Sequence, residues 1–356
     1  MNILDQTPKQ LIDVASWSHD EYSVYPEGAR DKSLIYCPAN PQFEFLKEEH
    51  PYLFKHSNKH YPEQFWVEII AYRLGILVGV PVPPAYVAYD SDNNNAAALI
   101  EWFLMPSSAR VRPLGPIERV INSVAGLAAR ITPDKVIKNL SKRFSLVVER
   151  YVPGGDIMQR IIRNYDRKKG KQHNFEHIYT FCKVLNEKSL LSDDWLQIWA
   201  KILTFDALIG NTDRHQDNWG LIWTFSGDKG LTARIAPAFD NGTSMGHEIL
   251  PEKFHLFNEE KYIQKYIYRG THHMRMNLRD DMPTNHGKFI YDLSLKYPEI
   301  TDAVMKTLKF DIDSARDIIY GLTKFEVPVP LSAQRAEFMV KLLSARQKYI
   351  ISLLER

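Results

Sequence analysis

Cysteine is scarce in this 356-residue chain, which has only Cys37 and Cys182. They lie far apart and form no C-x-x-C pair, so a disulfide framework and a cysteine zinc site are both excluded. A reducing, cytoplasmic compartment is the expectation. Long apolar runs are missing as well. The most apolar stretch, Leu74 to Ala88, is interrupted by Pro81, Pro83 and Pro84 and falls short of the roughly 20 residues a membrane helix needs. The first residues, Met1 to Thr7, carry neither a basic n-region nor an apolar h-region, so no targeting leader and no transmembrane segment is expected. Net charge is small: 45 Lys and Arg against 43 Asp and Glu give +2, too little to argue for a nucleic-acid binder. No repeat period and no low-complexity tail is present. What remains is 44 % hydrophobic and 25 % charged, the balance of a folded globular protein. The length suits two domains or one two-lobed enzyme.

The pattern along the chain predicts α+β architecture. Ser33–Cys37 and Tyr52–His56 read as short strands. Over Glu63–Val78, the apolar residues Phe65, Ile69, Tyr72 and Ile76 fall at helical spacing on one face, and Gly79 with Pro81 ends the helix. Pro84–Tyr89 and Ala96–Phe103 flank a polar turn and predict a hairpin. Thr132, Pro133 and Asp134 form a helix start, and Ile117, Val120, Ile121 and Val124 make a further helical stripe. From Phe175 onward helix dominates. Trp195, Ile198, Trp199, Ile202 and Leu203 mark a central helix, and Phe338, Leu342, Ala345, Tyr349 and Leu353 share one side of the last. Three units follow: a strand-rich N-terminal lobe over 1–105, a basic helical insertion over 106–143, and a helical lobe over 144–356.

The residues that carry chemistry cluster in two places. Gly210 breaks an apolar helix and opens a run of polar residues before the strand-like Leu221–Trp223. Such a loop between buried elements positions functional groups on a rigid frame. Within it, Asn218 follows Asp213 by the interval that kinase catalytic loops use, where the Asp takes the hydroxyl proton and the Asn holds Mg²⁺. Further on, an apolar strand over Ile235–Phe239 leads into Asp240 and then Gly242, close in kind to the metal-binding D-F-G of kinases. In the N-terminal half, Lys55 sits inside an apolar strand, where a charge needs a partner. Glu68 lies on the next helix and can face it. The segment Pro26–Lys32, with Gly28, Arg30 and Lys32, has one glycine and matches neither G-x-G-x-x-G nor the P-loop, although backbone amides and Arg30 can still cradle phosphates. His272, His273 and His286 are too scattered for zinc and read as surface or packing residues.

Asn211-x-Asp213-x-His215-x-x-Asn218, followed by Phe239-Asp240-Asn241-Gly242, resembles the catalytic core of HipA-like serine/threonine kinases. Glu27-Gly28-x-Arg30-x-Lys32, Tyr52–Lys55 and Glu68-x-x-Ala71 resemble the same family's nucleotide lobe. The resemblance spans about residues 22–330 and is similar to the short forms found in toxin–antitoxin modules. It implies a two-lobed protein-kinase-like fold that binds Mg-ATP between its lobes. It also implies Asp213 as catalytic base, Lys55 with Glu68 as the nucleotide pair, and Asn218 and Asp240 as Mg²⁺ ligands. Gly28, Arg30, Lys32, Glu149 and Tyr151 then line the ATP site, and His215 hydrogen-bonds within the loop. The adenine-contacting hinge is either Ile100–Trp102, around Glu101, or Val148–Arg150, around Glu149. Ser/Thr hydroxyls of a protein are the implied substrate, and a small antitoxin-like protein the implied partner.

Two other readings stay open. Asn211-Thr212-Asp213-Arg214 also resembles the catalytic loop of type II phosphatidylinositol 4-kinases, which keeps a lipid kinase in view. A non-catalytic pseudokinase is the third, against which the full set of Lys55, Glu68, Asp213, Asn218 and Asp240 argues. The charge supports a closer look at 106–143. That segment holds Arg110, Arg112, Arg119, Arg130, Lys135, Lys138, Lys142 and Arg143 against Glu118 and Asp134. It is either a solvated insertion or a docking face for anionic lipid or an acidic surface.

Overall fold

The computed structural model describes residues 6–19, 30–104, 148–226 and 230–356. The expected insertion at 106–143, with its helix start at Thr132, and Gly28 all lie outside them. Six strands form the first sheet: β1 (Ile12–Asp13), β2 (Ser18–His19), β3 (Lys32–Tyr36), β4 (Pro51–Lys55), β5 (Ala85–Asp90) and β6 (Asn95–Glu101). Their order is β1-β5-β6-β4-β3-β2, with β1 parallel to β5 and every other pair antiparallel. The β5–β6 hairpin expected from the polar turn is present, and Asn94 takes the left-handed conformation there, as Asn tolerates.

Strand alternation decides what each face of this sheet holds. Tyr52, Phe54, Tyr86, Ala97 and Leu99 point to one side and pack with Ile12, Trp17, Ile35 and Leu46. On the other side Ala85, Val87, Ala96 and Ala98 pack against helix α1 (Phe65–Val78). Lys55 follows Phe54 and is therefore turned toward α1. Its direct neighbours across the strands are Lys32 on β3 and the small Ala98 on β6.

Helix α1 departs from the expected single apolar face. Phe65, Trp66, Val67, Ile69, Ile70, Ala71 and Leu74 are all buried, whereas Ile76, assigned to the buried stripe, is 37 % exposed. The reason is that α1 has two partners: the sheet on one side and the helical lobe on the other. Trp66 Nε1 donates to the Val329 carbonyl at 2.9 Å, and Arg335 Nε reaches Glu63 at 3.1 Å.

The second part is built on helices α2 (Gly154–Ile161), α3 (Phe175–Glu187), α4 (Trp195–Ile209), α5 (Glu260–Arg269), α6 (His286–Lys296), α7 (Thr301–Leu308), α8 (Ile312–Leu322) and α9 (Ala333–Leu354). Asn174, Asn285, Asp311 and Ser332 cap four of them by accepting backbone amides. The α4 helix, from Trp195 on, is central as its composition predicts, packed against α6, α7 and α9. The expected side of α9 is borne out for Phe338, Leu342, Ala345 and Tyr349, which close a cluster with Phe257, Ile263 and Ile267. A small antiparallel sheet, β7 (Val148–Pro153), β8 (Gly220–Ser226) and β9 (Gly230–Ile235), lies in this part. The apolar segment 235–239 is not the expected strand. Ladder pairing ends at Ile235, because Pro237 has no amide hydrogen to donate. The Ala238 amide donates instead to the Pro81 carbonyl at 2.8 Å, and Asp240 follows with φ +54°.

Candidate active site

Helix α4 ends at Gly210, and the polar loop that follows is held by one buried ion pair. Asp206, on the last turns of α4, and Arg214 in the loop are both essentially inaccessible to solvent. Arg214 Nε and Nη2 meet the two Asp206 oxygens at 2.9 and 2.7 Å. The same guanidinium donates to the Asn218 carbonyl at 2.9 Å, to the Phe239 carbonyl, and to Asn241 Oδ1 at 2.8 Å. One planar group with donors in fixed directions thus joins the helix, the catalytic-type loop and the segment carrying Asp240. Burial opposes its charge, and Asp206 more than offsets that, so its pKa is raised.

Inside the loop the candidate base and metal ligand position each other. Asn218 Nδ2 donates to the Asp213 carbonyl at 2.7 Å, and the Asp213 amide donates to Asn211 Oδ1 at 3.0 Å. His215 Nδ1 accepts the Asp217 amide at 3.1 Å, the within-loop role the motif resemblance implies. Desolvation raises the Asp213 pKa, with Asp240 adding to it and His215 opposing it. A carboxylate with its pKa raised above the ordinary Asp value suits a proton acceptor.

Above the loop, Lys55, Glu68, Asp240 and Arg30 form one cluster. Lys55 Nζ lies 2.8 Å from Glu68 Oε1 and 2.7 Å from Asp240 Oδ1. Arg30 Nη2 contacts the same two oxygens at 2.7 and 3.0 Å. Glu68 Oε2 accepts the Asn241 amide at 3.0 Å. Burial works against ionisation of both acids, but Lys55 and Arg30 hold the carboxyls of Glu68 and Asp240 below their ordinary values. Lys32 stands opposite Lys55 on β3. Its pKa is lowered by burial and then by the Lys55 charge, with Asp240 and Glu68 acting in the opposite direction.

The donor set fits Mg²⁺. Among the described residues, Asp240 Oδ2 and Asn218 Oδ1 accept no hydrogen bond, and both are hard oxygen donors of the kind Mg²⁺ takes alongside phosphate oxygens. No group of three His, Cys, Asp or Glu side chains forms a metal cluster among the described residues. His272 and His286 are buried and pack edge to face at 4.6 Å, which agrees with their reading as packing residues.

The two hinge candidates fall differently. Glu101, at the end of β6, pairs with Lys47. Glu149, on β7, is engaged by Thr224 and Arg234, so its carboxylate is not part of the Lys55–Asp240 cluster. Tyr151 does lie beside the loop: its hydroxyl donates to the Trp219 carbonyl at 2.9 Å, and its ring meets Phe239 and Phe103. Sequence reasoning missed Asp206 and Arg214. Their signal was the one acid within a mainly apolar helix and a cation at a position that the Asn211-x-Asp213-x-His215 pattern leaves open.

No protein-family model matches the chain, and no curated protein matches it. Among solved structures, a Helicobacter pylori proinflammatory kinase, CtkA, superposes with a TM-score of 0.63 at 15 % identity, covering 97 % of this chain and 96 % of its own. HipA, from a Shewanella oneidensis MR-1 toxin–antitoxin complex with HipB and operator DNA, gives a TM-score of 0.44 at 13 % identity, covering 98 % of this chain and 68 % of its own. The likeness to CtkA shows the fold: the chain has the two-lobed, kinase-like α+β fold that its motifs imply.

Proposed function

We propose that this protein is a HipA-like kinase that transfers the γ-phosphate of Mg-ATP to a Ser or Thr hydroxyl of a protein. The observation that carries the reading is the clustering of Lys55, Glu68 and Asp240, from β4, α1 and the segment after β9, with the loop that holds both Asp213 and Asn218 tied to that segment by Arg214. Asp213, its charge disfavoured by burial, accepts the acceptor hydroxyl's proton as the nucleophile attacks. Glu68 holds Lys55 toward the position of the nucleotide phosphates. Asn218 and Asp240 would hold the metal, which would supply neutralisation of charge on the phosphate oxygens. Arg30 and Lys32 add positive charge to the same side of the cleft. Tyr151 and Phe103 furnish aromatic surface beside it. The small antitoxin-like partner belongs to this reading through the motif resemblance.

The test is direct. Purified protein is incubated with labelled Mg-ATP and offered itself, a cell lysate and phosphoinositide vesicles in turn. Label on protein Ser or Thr is the expected result. Label on lipid alone refutes the protein substrate in favour of the lipid reading that Asn211-Thr212-Asp213-Arg214 also resembles. Nucleotide binding without transfer marks a pseudokinase. Asp213→Asn should lower turnover by about 10²–10⁴-fold, and Asp240→Ala should abolish labelling.

A further inference from the structure

The Asp240 carboxylate that would hold the metal already carries two cations, and they differ in kind. Lys55 lies on a strand and is paired with Glu68 from the adjacent helix. Arg30 lies at the edge of the segment leading into β3, with its side chain 9 % exposed. Its guanidinium rests on Gly242: a Cβ at that position would meet Nη2, Nη1 and Cζ at 2.2 to 2.5 Å. Nη2 is taken by Glu68 and Asp240, whereas Nη1 is buried and has no partner among the described residues. A buried guanidinium donor without an acceptor is costly, so this arginine is seated on the carboxylates but incompletely satisfied there.

We infer that Arg30 is an exchangeable counter-cation: it sits in the Gly242 notch on Asp240 when no metal is bound and leaves that oxygen for phosphate when metal and nucleotide arrive together. Asp240 accepts Arg30 and Lys55 through Oδ1. A divalent ion approaching that carboxylate meets two positive charges at hydrogen-bond distance, and their repulsion opposes metal binding on its own. Arg30 meets both carboxylates through Nη2 alone, whereas a phosphate in its reach can take the two parallel contacts that suit a guanidinium. The free Nη1 is the donor that the present partners leave over. Metal affinity is therefore made to depend on the nucleotide. The inference rests on the kinase reading for Asp240 as a metal ligand and for the nucleotide whose phosphate receives Arg30.

The test reads metal binding in nucleotide-free protein, with Mn²⁺ alone as the probe, by the loss of its free paramagnetic signal. Arg30→Gln should tighten Mn²⁺ binding by about tenfold, a discounted figure for one charge removed next to a part-exposed carboxylate. Gly242→Ala changes no charge but fills the notch that the guanidinium occupies, and it should tighten Mn²⁺ binding in the same direction. The second variant also answers the objection that loss of Arg30 merely loosens the fold. Unchanged or weaker Mn²⁺ binding in both variants overturns the proposal. So does a gain that persists when Asp240→Asn is added to Arg30→Gln. Failure of the kinase reading shows separately, as absence of transfer from labelled ATP.

Discussion

Replacing Asp206 by Asn keeps the size of the side chain and removes its charge, leaving the Arg214 guanidinium buried opposite a neutral amide. Asn can still accept one of the two hydrogen bonds from Nε and Nη2, but its Nδ2 faces a donor. Breaking a buried pair by removing one partner is worth about 3–5 kcal/mol. With an unfolding entropy near 2.1 cal/mol/K per residue, a chain of this length loses about 4–7 °C in Tm for that change. Calorimetry on Asp206→Asn beside the parent protein measures it. Turnover should fall further than stability accounts for, because Arg214 also fixes the Asn218 and Phe239 carbonyls and Asn241. The double replacement Asp206→Leu with Arg214→Met should recover much of the lost Tm, since a buried pair exchanged for apolar groups is often neutral, yet recover no activity. A Tm shift under 1 °C for Asp206→Asn, or activity restored in the double variant, would refute the account of this pair as a clamp on the catalytic-type loop.

Other perturbations have definite signs. Asp213 has a raised pKa when folded, so the native state holds its proton more tightly than the unfolded chain, and stability falls as pH rises from the ordinary Asp value through the raised one. At neutral pH its charge is therefore a destabilising term, and Asp213→Asn should raise Tm in calorimetry while lowering turnover. Asp240 has the opposite sign: its lowered pKa gives stability that is present above the ordinary Asp value and lost as pH falls through the folded one. Asp240→Asn should thus lower Tm at pH 7, with the difference from the parent shrinking in acid. The acid limb of kcat against pH should lie above the ordinary Asp value and vanish in Asp213→Asn. Gly154→Ala would place a methyl group 2.2 Å from the Trp219 ring and 2.6 Å from the Gln216 carbonyl; it should lose about 1–3 kcal/mol in denaturant unfolding.

The side chains of the candidate site stand out in the sequence because of spacing or context. Asp213 and Asn218 share one short loop, and Lys55 is a charge within an apolar strand. Alternation along β4 then places Lys55 on the face that α1 covers, where Glu68 waits. What escaped reading depends on partners far along the chain. The all-round burial of α1 is set by contacts such as Trp66 with Val329, which no window around the helix contains. Asp206 reads locally as a polar interruption of α4, and only the turn of the loop brings Arg214 onto it. The early end of β9 is a different case, since Pro237 was visible but outweighed by the apolar run around it.

The embedding of α1 in the helical lobe bears on how this cleft can be regulated. In a helix that rests on one sheet alone, outward rotation is an available way to separate a glutamate from its lysine. Here such a rotation would strip Trp66 from Val329 and Glu63 from Arg335 and expose apolar surface on two sides at once. Moving Glu68 away from Lys55 by rotating α1 would therefore cost contacts to the helical lobe as well as to the sheet.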